Sequence, residues 1–533
     1  MKNIRRIIAL SLVTVMLFGC TSEKRSAKKG KKSERPVYAE AVLSSADSYE
    51  AETVPLSVLS IETKSKDKNA MDFYTEPVAA HVVKLLNSWG NECDAPAPYY
   101  VDCTVSLKGS DGNVQLSPAD AQVKVRGNFT TMYPKKPLRI KFAEKQNLLG
   151  LNEGSAFRNW LLLAEYKDCS MLRNKATLYA ARHILGADGL YAADADFVRV
   201  EINGEYMGLY LLTEMQQTDR KRVNATKPKG GYTGTDIGYF LEFDGYFENE
   251  DDLHKFPIDY ADNAALKPYD GKGGSGRTKK CLGKAFSYLA NEIGFTIKSD
   301  INSQEQHDFI ANYINNVYKI MYEAAYNHKA FVFDDKNENI AESSELTPQQ
   351  AVEKVVDVDS LVDMYILNEL ACDADVSWSS FYMDIDFSPE HTKRLTFEAP
   401  WDFDSAMGNM PCCIDSQGFY ASNIIPDSDS INPWFVLLAY EDWYQEMIKE
   451  KWTKAYDNGV FARVCQMVES DKEVLEEEFE DNYKKWKNNY DKDLFIMELS
   501  PAEVNIHSEK ESAEHLLEWL QKRIDFLNSQ WHK

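Results

Sequence analysis

Residues 380–409 read SFYMDIDFSPEHTKRLTFEAPWDFDSAMGN. The run SFYMDIDF alternates as a strand does, SPEHTK supplies turn residues, and RLTFEAP has the composition of a returning strand. Two aspartates, Asp402 and Asp404, then stand among Trp401, Phe403 and small residues. Upstream, a helical pattern ends near Cys372, and a loop carrying Asp373 and Asp375 leads into the first strand. A hairpin brings its two ends together. Asp375 and Asp402 are therefore expected to meet at one edge of a sheet, although 27 positions separate them. An aspartate after a strand can simply cap a turn. A partly buried carboxylate, by contrast, needs a cationic side chain or a metal ion.

The chain around this hairpin is large enough for a substantial core, with 533 residues of which 44% are hydrophobic. Its formal charge of -24 argues against nucleic acid as a partner, because that surface would need a basic stripe of broad extent. At the N-terminus, Lys2, Arg5 and Arg6 precede the apolar run IIALSLVTVMLFG, which is too short to span a bilayer and ends at Cys20. Residues 1–19 read as a leader. The Leu-x-Gly-Cys pattern resembles a bacterial lipobox, which implies lipidation of Cys20, anchoring to the cell membrane or surface, and export; a generic signal peptide with an incidental cysteine also implies export. The Lys-rich stretch that follows, to about residue 50, cannot bury enough apolar area to order itself and reads as a flexible basic tether. Cys93 and Cys103 flank a short segment and are candidates for a bridge, and Cys412 and Cys413 are adjacent in sequence.

From residue 51 the pattern is β-rich. VPLSVLSIET, PYYVDCTVSLKG and DAQVKVRGNFT read as strands, and LRIKF points Leu138, Ile140 and Phe142 one way with Arg139 and Lys141 the other. A glycine turn, Arg126-Gly127-Asn128, followed by a strand with basic side chains is one way to hold phosphate; a solvated strand face has the same signature. FVRVEI and MGLYLLTE are joined by a hairpin turn at Asn203-Gly204. In the helix that begins near Ser170, Arg173 and Lys175 occupy the opening turns, where a cation opposes the helix dipole and calls for an anionic partner. The glycine-rich stretch around residues 271–276 lacks the spacing of a nucleotide loop and reads as a loop. Helical periodicity dominates from about 304, and the Trp and Leu spacing beyond 430 completes a helical body. The fold class is α+β, with a β-rich part at about 51–250 and a mainly helical part with the hairpin at about 300–533.

In their order along the chain, KVRGNFT…KKPLRIKF, MLRNK, VEINGEYMGLYLLTE and PWDFDSAMGN resemble the spore coat protein H (CotH) family of atypical protein kinases. The resemblance implies a two-lobed, protein-kinase-like fold. It implies ATP and Mg2+ or Mn2+ as cofactors, and transfer of phosphate to Ser or Thr of coat or envelope proteins. By position Asp375 matches the catalytic aspartate, Asp402 a metal ligand and Asp404 a second one. Lys136 or Lys141 would contact ATP phosphates, supported by Arg126 and Arg173. One departure stands out: the kinase pattern has Asn five residues beyond the catalytic Asp, and here that position is Ser380. A surface-anchored binding module or adhesin with the same fold is the alternative from another class. A glycosidase carboxylate pair is a third reading, in which the basic strand would have no task.

Overall fold

The computed structural model describes residues 49, 52–259, 261, 265–271, 279–280, 293–425, 431–487 and 498–533. The leader, Cys20 and nearly all of the basic tether lie outside the described residues, as does most of the glycine-rich stretch. Among the described residues, no helix is long and apolar enough to cross a membrane.

Seven strands form the first half: β1 (Val58–Thr63), β2 (Val101–Lys108), β3 (Val114–Val125), β4 (Leu138–Gln146), β5 (Phe157–Leu163), β6 (Ala195–Ile202) and β7 (Glu205–Glu214). The expected β-rich layer is in fact a closed barrel in the order β1-β2-β3-β4-β5-β7-β6, sealed by parallel pairing of β1 with β6. Closure removes the edges that an open layer would leave. Alternation sets the faces: Leu138, Ile140 and Phe142 are buried with Val123, Trp160 and Val198 in the barrel core. Each such aliphatic side chain contributes roughly 2 kcal/mol by leaving water. The β6–β7 turn has Asn203 and Gly204 both at positive φ (53° and 78°), the conformation that a two-residue hairpin of this hand requires.

A second, five-stranded antiparallel sheet is built from β8 (Gly238–Asp244), β9 (Lys255–Pro257), β10 (Gly294–Ile297), β11 (Phe381–Asp386) and β12 (Thr396–Phe397), in the order β12-β11-β8-β10-β9. Thus β8, which the sequence alone groups with the β-rich first part, pairs instead with the hairpin strand β11. The hairpin itself is shorter than its sequence suggests. Leu395 bonds to the backbone of Val355 and Asp357, and Ala399 donates to Tyr191 O, so only Thr396 and Phe397 remain to pair with β11.

Helices pack around this sheet and against the barrel. Their ranges are α1 (Ala80–Ser88), α2 (Arg173–Ile184), α3 (Gln304–Tyr326), α4 (Pro348–Val355), α5 (Val358–Ala371), α6 (Asp442–Asp457), α7 (Val460–Val474), α8 (Glu476–Trp486) and α9 (Glu509–Trp531). Every residue of α5 except Asp359 is buried, and the helix stops at Cys372, which adopts a left-handed conformation. Trp434, Trp452, Leu516, Trp519, Leu520 and Trp531 from the last hundred residues enter the same core, as their spacing predicts. Lys175, in the opening turn of α2, finds its anionic partners in Asp196 (3.0 Å), Asp471 of α7 (2.8 Å) and Glu52. The Tyr49 hydroxyl also donates to Asp471, at 3.0 Å. The start of the described chain is thereby clasped onto the helices. The thiols of Cys93, Cys103, Cys412 and Cys413 are all free.

Candidate functional site

The site begins where α5 ends. After Cys372 the chain turns sharply, with Asp375 N–H donating to Asp373 Oδ1 (3.1 Å) and Trp378 N–H to Asp375 O (2.7 Å). Gly245 fixes this loop against the end of β8. Its N–H donates to Trp378 O at 2.7 Å, and a Cβ there would lie 2.4 Å from the Trp378 ring. From the other end of the hairpin comes the loop with Asp402 and Asp404. Ala399, Asp402 and Met407 all have positive φ (61°, 71° and 48°), a cluster of costly backbone conformations of the kind held in place at functional sites. Gly408, at φ +79°, packs so tightly that a Cβ would meet Trp519 Cδ1 at 2.7 Å.

Hydrogen bonds hold the loop from both sides. Asn409 Nδ2 donates to Asp404 O (2.6 Å), Met407 N–H to Ala371 O (2.8 Å), and Phe403 N–H to Asn174 Oδ1 (2.7 Å). Arg173, fully buried, pairs with Asp168 and with Glu503 (2.7 Å) and reaches Met407 O at 3.3 Å. It acts as a strut behind the loop.

Asp375, Asp402 and Asp404 are partly exposed, and Asp402 and Asp404 are densely surrounded. They influence one another. Desolvation, the neighbouring Asp404 and Asp375, offset in part by Arg126 and Lys167, push the Asp402 carboxyl up to about 7. Asp404 is also raised, by burial and by Asp375 and Asp168, against the pull of Lys167. Asp373 is raised well above the carboxylate range by burial and by Asp375. The hairpin has thus brought together acids that repel each other, and a partly exposed pair with pKa values driven upward is a functional signature.

One lysine faces them. Lys167, in the segment after β5, donates to Ser405 Oγ (2.7 Å) and pairs with Glu498 (3.3 Å). Burial alone would lower its pKa, but Glu498, Asp404 and Asp375 raise it well above the usual value, so it is a fixed cation. Ser405 Oγ in turn lies 3.3 Å from Asp404 Oδ1. Lys167 is not among the residues that the sequence singles out; its only signal was a lysine four residues beyond the apolar end of β5, Trp160–Leu163. Glu498, far away in the chain, had none.

The other basic candidates divide. Arg126 stacks over Trp401 (5.8 Å) and acts on the Asp402 charge, which puts it at the site. Lys136 is elsewhere: its Nζ donates to Pro77 O (2.7 Å), its N–H to the Tyr74 hydroxyl (3.0 Å), and burial alone lowers its pKa to about 8, with no anion acting on it. Lys141 is exposed on the outer face of β4, paired in register with Gln122. Arg173 is committed to Asp168 and Glu503 and has no exposed surface with which to meet a ligand. Next to Ser380, a further polar cluster lines the end of β8. Ser380 N–H donates to Glu242 Oε1 (3.1 Å), Ser379 Oγ lies 3.3 Å from both Glu242 and Asp244, and Lys298 pairs with Glu242 at 2.6 Å.

Among the described residues, no three His, Cys, Asp or Glu side chains converge as a ready-made metal cage. Magnesium does not require one, since it is commonly held by one or two carboxylates, with water and substrate phosphate completing the shell. Two mutually repelling, partly exposed carboxylates suit that mode.

No curated protein matches the chain. A family model does: residues 123–527 match the one described as CotH kinase protein, and this span takes in the barrel from the last residues of β3 onward, the hairpin and nearly all of the helical body. The chain belongs to the CotH kinase family.

Proposed function

We propose that the protein is a metal-dependent phosphotransferase that moves the γ-phosphoryl group of ATP to a Ser or Thr hydroxyl of a protein in the coat or envelope. The barrel and the helical body serve as the two lobes, with the cleft between the hairpin and Arg126 as the nucleotide site. The observation that carries this reading is the convergence of Asp375, Asp402 and Asp404 opposite the fixed cation Lys167. Paired acids facing a cation match the needs of phosphoryl transfer, which is mainly a matter of position and charge.

In this reading Asp402 and Asp404 would hold a divalent ion, which supplies neutralisation of phosphate charge when bound. Lys167 and Arg126 bind phosphate oxygens. Asp375 accepts the proton of the acceptor hydroxyl as the new O–P bond forms and the bond to the β-phosphate oxygen breaks, releasing ADP. Ser405 and Asn409 orient Asp404 for its part. Lys136, bound to Pro77 O, and Lys141, on the outer barrel face, are given no phosphate role. The leader pattern supports export with a lipid on Cys20, so acceptors would be met outside the cytoplasm. Palmitate labelling that disappears in Cys20→Ala tests this.

The decisive test titrates the full chain with ATP, with and without Mg2+ or Mn2+, following binding by thermal shift and transfer by radiolabelled phosphate on Ser-rich acceptors. Metal-dependent binding with transfer is expected. Binding without transfer favours the alternative, a catalytically weak surface module, for which Ser380 in place of Asn is the specific reason. No binding with either metal overturns the proposal.

A further inference from the structure

On the outside of the barrel, next to the candidate site, lies a run of positive charge in a strongly acidic protein. The register of β3 and β4 puts Lys124 directly opposite Arg139, and Gln122 opposite Lys141. Arg126 continues the ladder with its N–H on Pro137 O (3.0 Å). Side chains on one face of a strand recur every ~7 Å, so Arg126, the Lys124/Arg139 pair and Lys141 form three steps over about 14 Å. The first step is at Asp402 and the last is exposed. The ring of Tyr100 lies under the stripe, 5.1 Å from Lys124 Nζ and 5.9 Å from Lys141 Nζ.

Like charges directly opposite each other on a sheet destabilise it. Other cations on this barrel avoid the cost by pairing: Lys64 with Asp120 (3.1 Å), Lys145 with Asp219 (3.0 Å) and Arg158 with Glu144 (3.2 Å). Lys124, Arg139 and Lys141 have no carboxylate within ion-pair distance among the described residues; Arg139 bonds only to the Asn159 amide oxygen (2.9 and 3.2 Å). The charges acting on Lys124 are those of Arg139 and Arg126, both repulsive. The acid nearest in register, Asp102 of β2, is engaged by the Gln122 amide (3.0 Å) and forms no ion pair with the stripe. In a chain with a formal charge of -24, a repulsive basic stripe whose cations lack ion-paired carboxylates among the described residues is complementary to an anionic partner.

We propose that the outer face of β3 and β4 docks an extended acidic segment of the protein substrate, with carboxylate or phosphate groups at every second residue, and feeds an adjacent Ser or Thr hydroxyl toward Asp375. The alternate spacing follows from the match between the ~7 Å steps of the stripe and those of an extended peptide. Tyr100 offers a flat apolar floor beneath the partner. Delivery to Asp375 rests on the phosphotransferase reading; the docking itself does not.

The test is fluorescence anisotropy of short labelled peptides with the full chain and no nucleotide. One peptide carries Glu at alternate positions, a second Gln, a third Lys. The Glu peptide is expected to bind at least ~10-fold more tightly than the Gln peptide, and to weaken as salt rises. Lys124→Gln with Lys141→Gln should remove that advantage. Lys124→Glu with Lys141→Glu should transfer the preference to the Lys peptide, which a merely misfolded variant would not do. Equal binding of Glu and Gln peptides, or an unaltered preference in the Gln variant, overturns the proposal. So does binding of anionic vesicles or RNA with none of the Glu peptide. Because no ATP is present, a failed transfer assay leaves this result standing, and failed docking leaves the transfer reading standing.

Discussion

Lys167 and Glu498 form a buried ion pair 3.3 Å apart, joining the segment after the barrel strand β5 to the far C-terminal part of the chain, with Lys167 also bonded to Ser405 next to Asp404. Breaking a buried pair by removing one partner typically costs ~3–5 kcal/mol, because the other charge is left without compensation. Lys167→Met should therefore lower the melting temperature markedly and weaken nucleotide binding. Adding Glu498→Gln should recover much of the stability and none of the binding. Recovery of both, by thermal melt and ATP titration, would show that Lys167 only neutralises Glu498.

Asp402 is destabilised as a carboxylate by burial and by Asp404. Asp402→Asn removes that repulsion, so the protein without nucleotide should melt ~1–3 °C higher while metal-dependent ATP binding is lost. A lower melting temperature with binding intact would contradict the assignment. Asp375→Asn should spare binding and abolish transfer, as read by retained thermal shift and absent label.

Glu503 has the opposite electrostatic setting. Burial alone would raise its pKa, but Arg173 and His515 hold it down to about 2, against 4.5 for an ordinary glutamate. A depressed carboxylate stabilises the folded state above its unfolded pKa, and that stability is lost as pH falls through its folded value. Between about pH 4.5 and 2 the protein should lose stability progressively. Glu503→Gln should show a shallower fall over the same range in melts at successive pH values.

Gly408 sits at φ +79° with the Trp519 ring where a Cβ would be. Gly408→Ala should destabilise the protein by ~1–3 kcal/mol and disturb the Asp404 loop. Denaturant unfolding and the ATP titration should fail together. An unchanged midpoint would show that Trp519 gives way.

Ser380 occupies a left-handed conformation (φ 60°), which Asn tolerates better than most residues. Ser380→Asn should thus fold normally, and if a second metal limits the rate, transfer should increase. Unchanged or lower transfer with normal folding would show that a second metal at this position does not limit the rate.

Local patterns carried much of this structure. The alternation in LRIKF, the Asn203-Gly204 turn and the need of Arg173 and Lys175 for anions all have counterparts in the fold. The hairpin logic that paired Asp375 with Asp402 also holds, since it needs only two strands and a turn. Long-range choices were not legible. Nothing in GYFLEFD tells whether β8 joins the first seven strands or the hairpin, because a strand buried on both faces has no alternation to orient it. Lys136 and Lys167 illustrate the same limit at the site. Both are lysines near apolar runs, and only tertiary contacts decide that Lys136 bonds to Pro77 O while Lys167 faces Asp404.

The clasp of Tyr49 and Glu52 onto Lys175 and Asp471 has a mechanical consequence. A pull applied through the preceding residues reaches the helical body at α2 and α7 before it reaches β1. The load would first be taken by several charge-assisted bonds side by side, which must be stretched together, while the barrel closure between β1 and β6 stays in the lee of that grip. Drag on the leading end would therefore act on the attachment point and leave the geometry around Asp402 and Asp404 undisturbed.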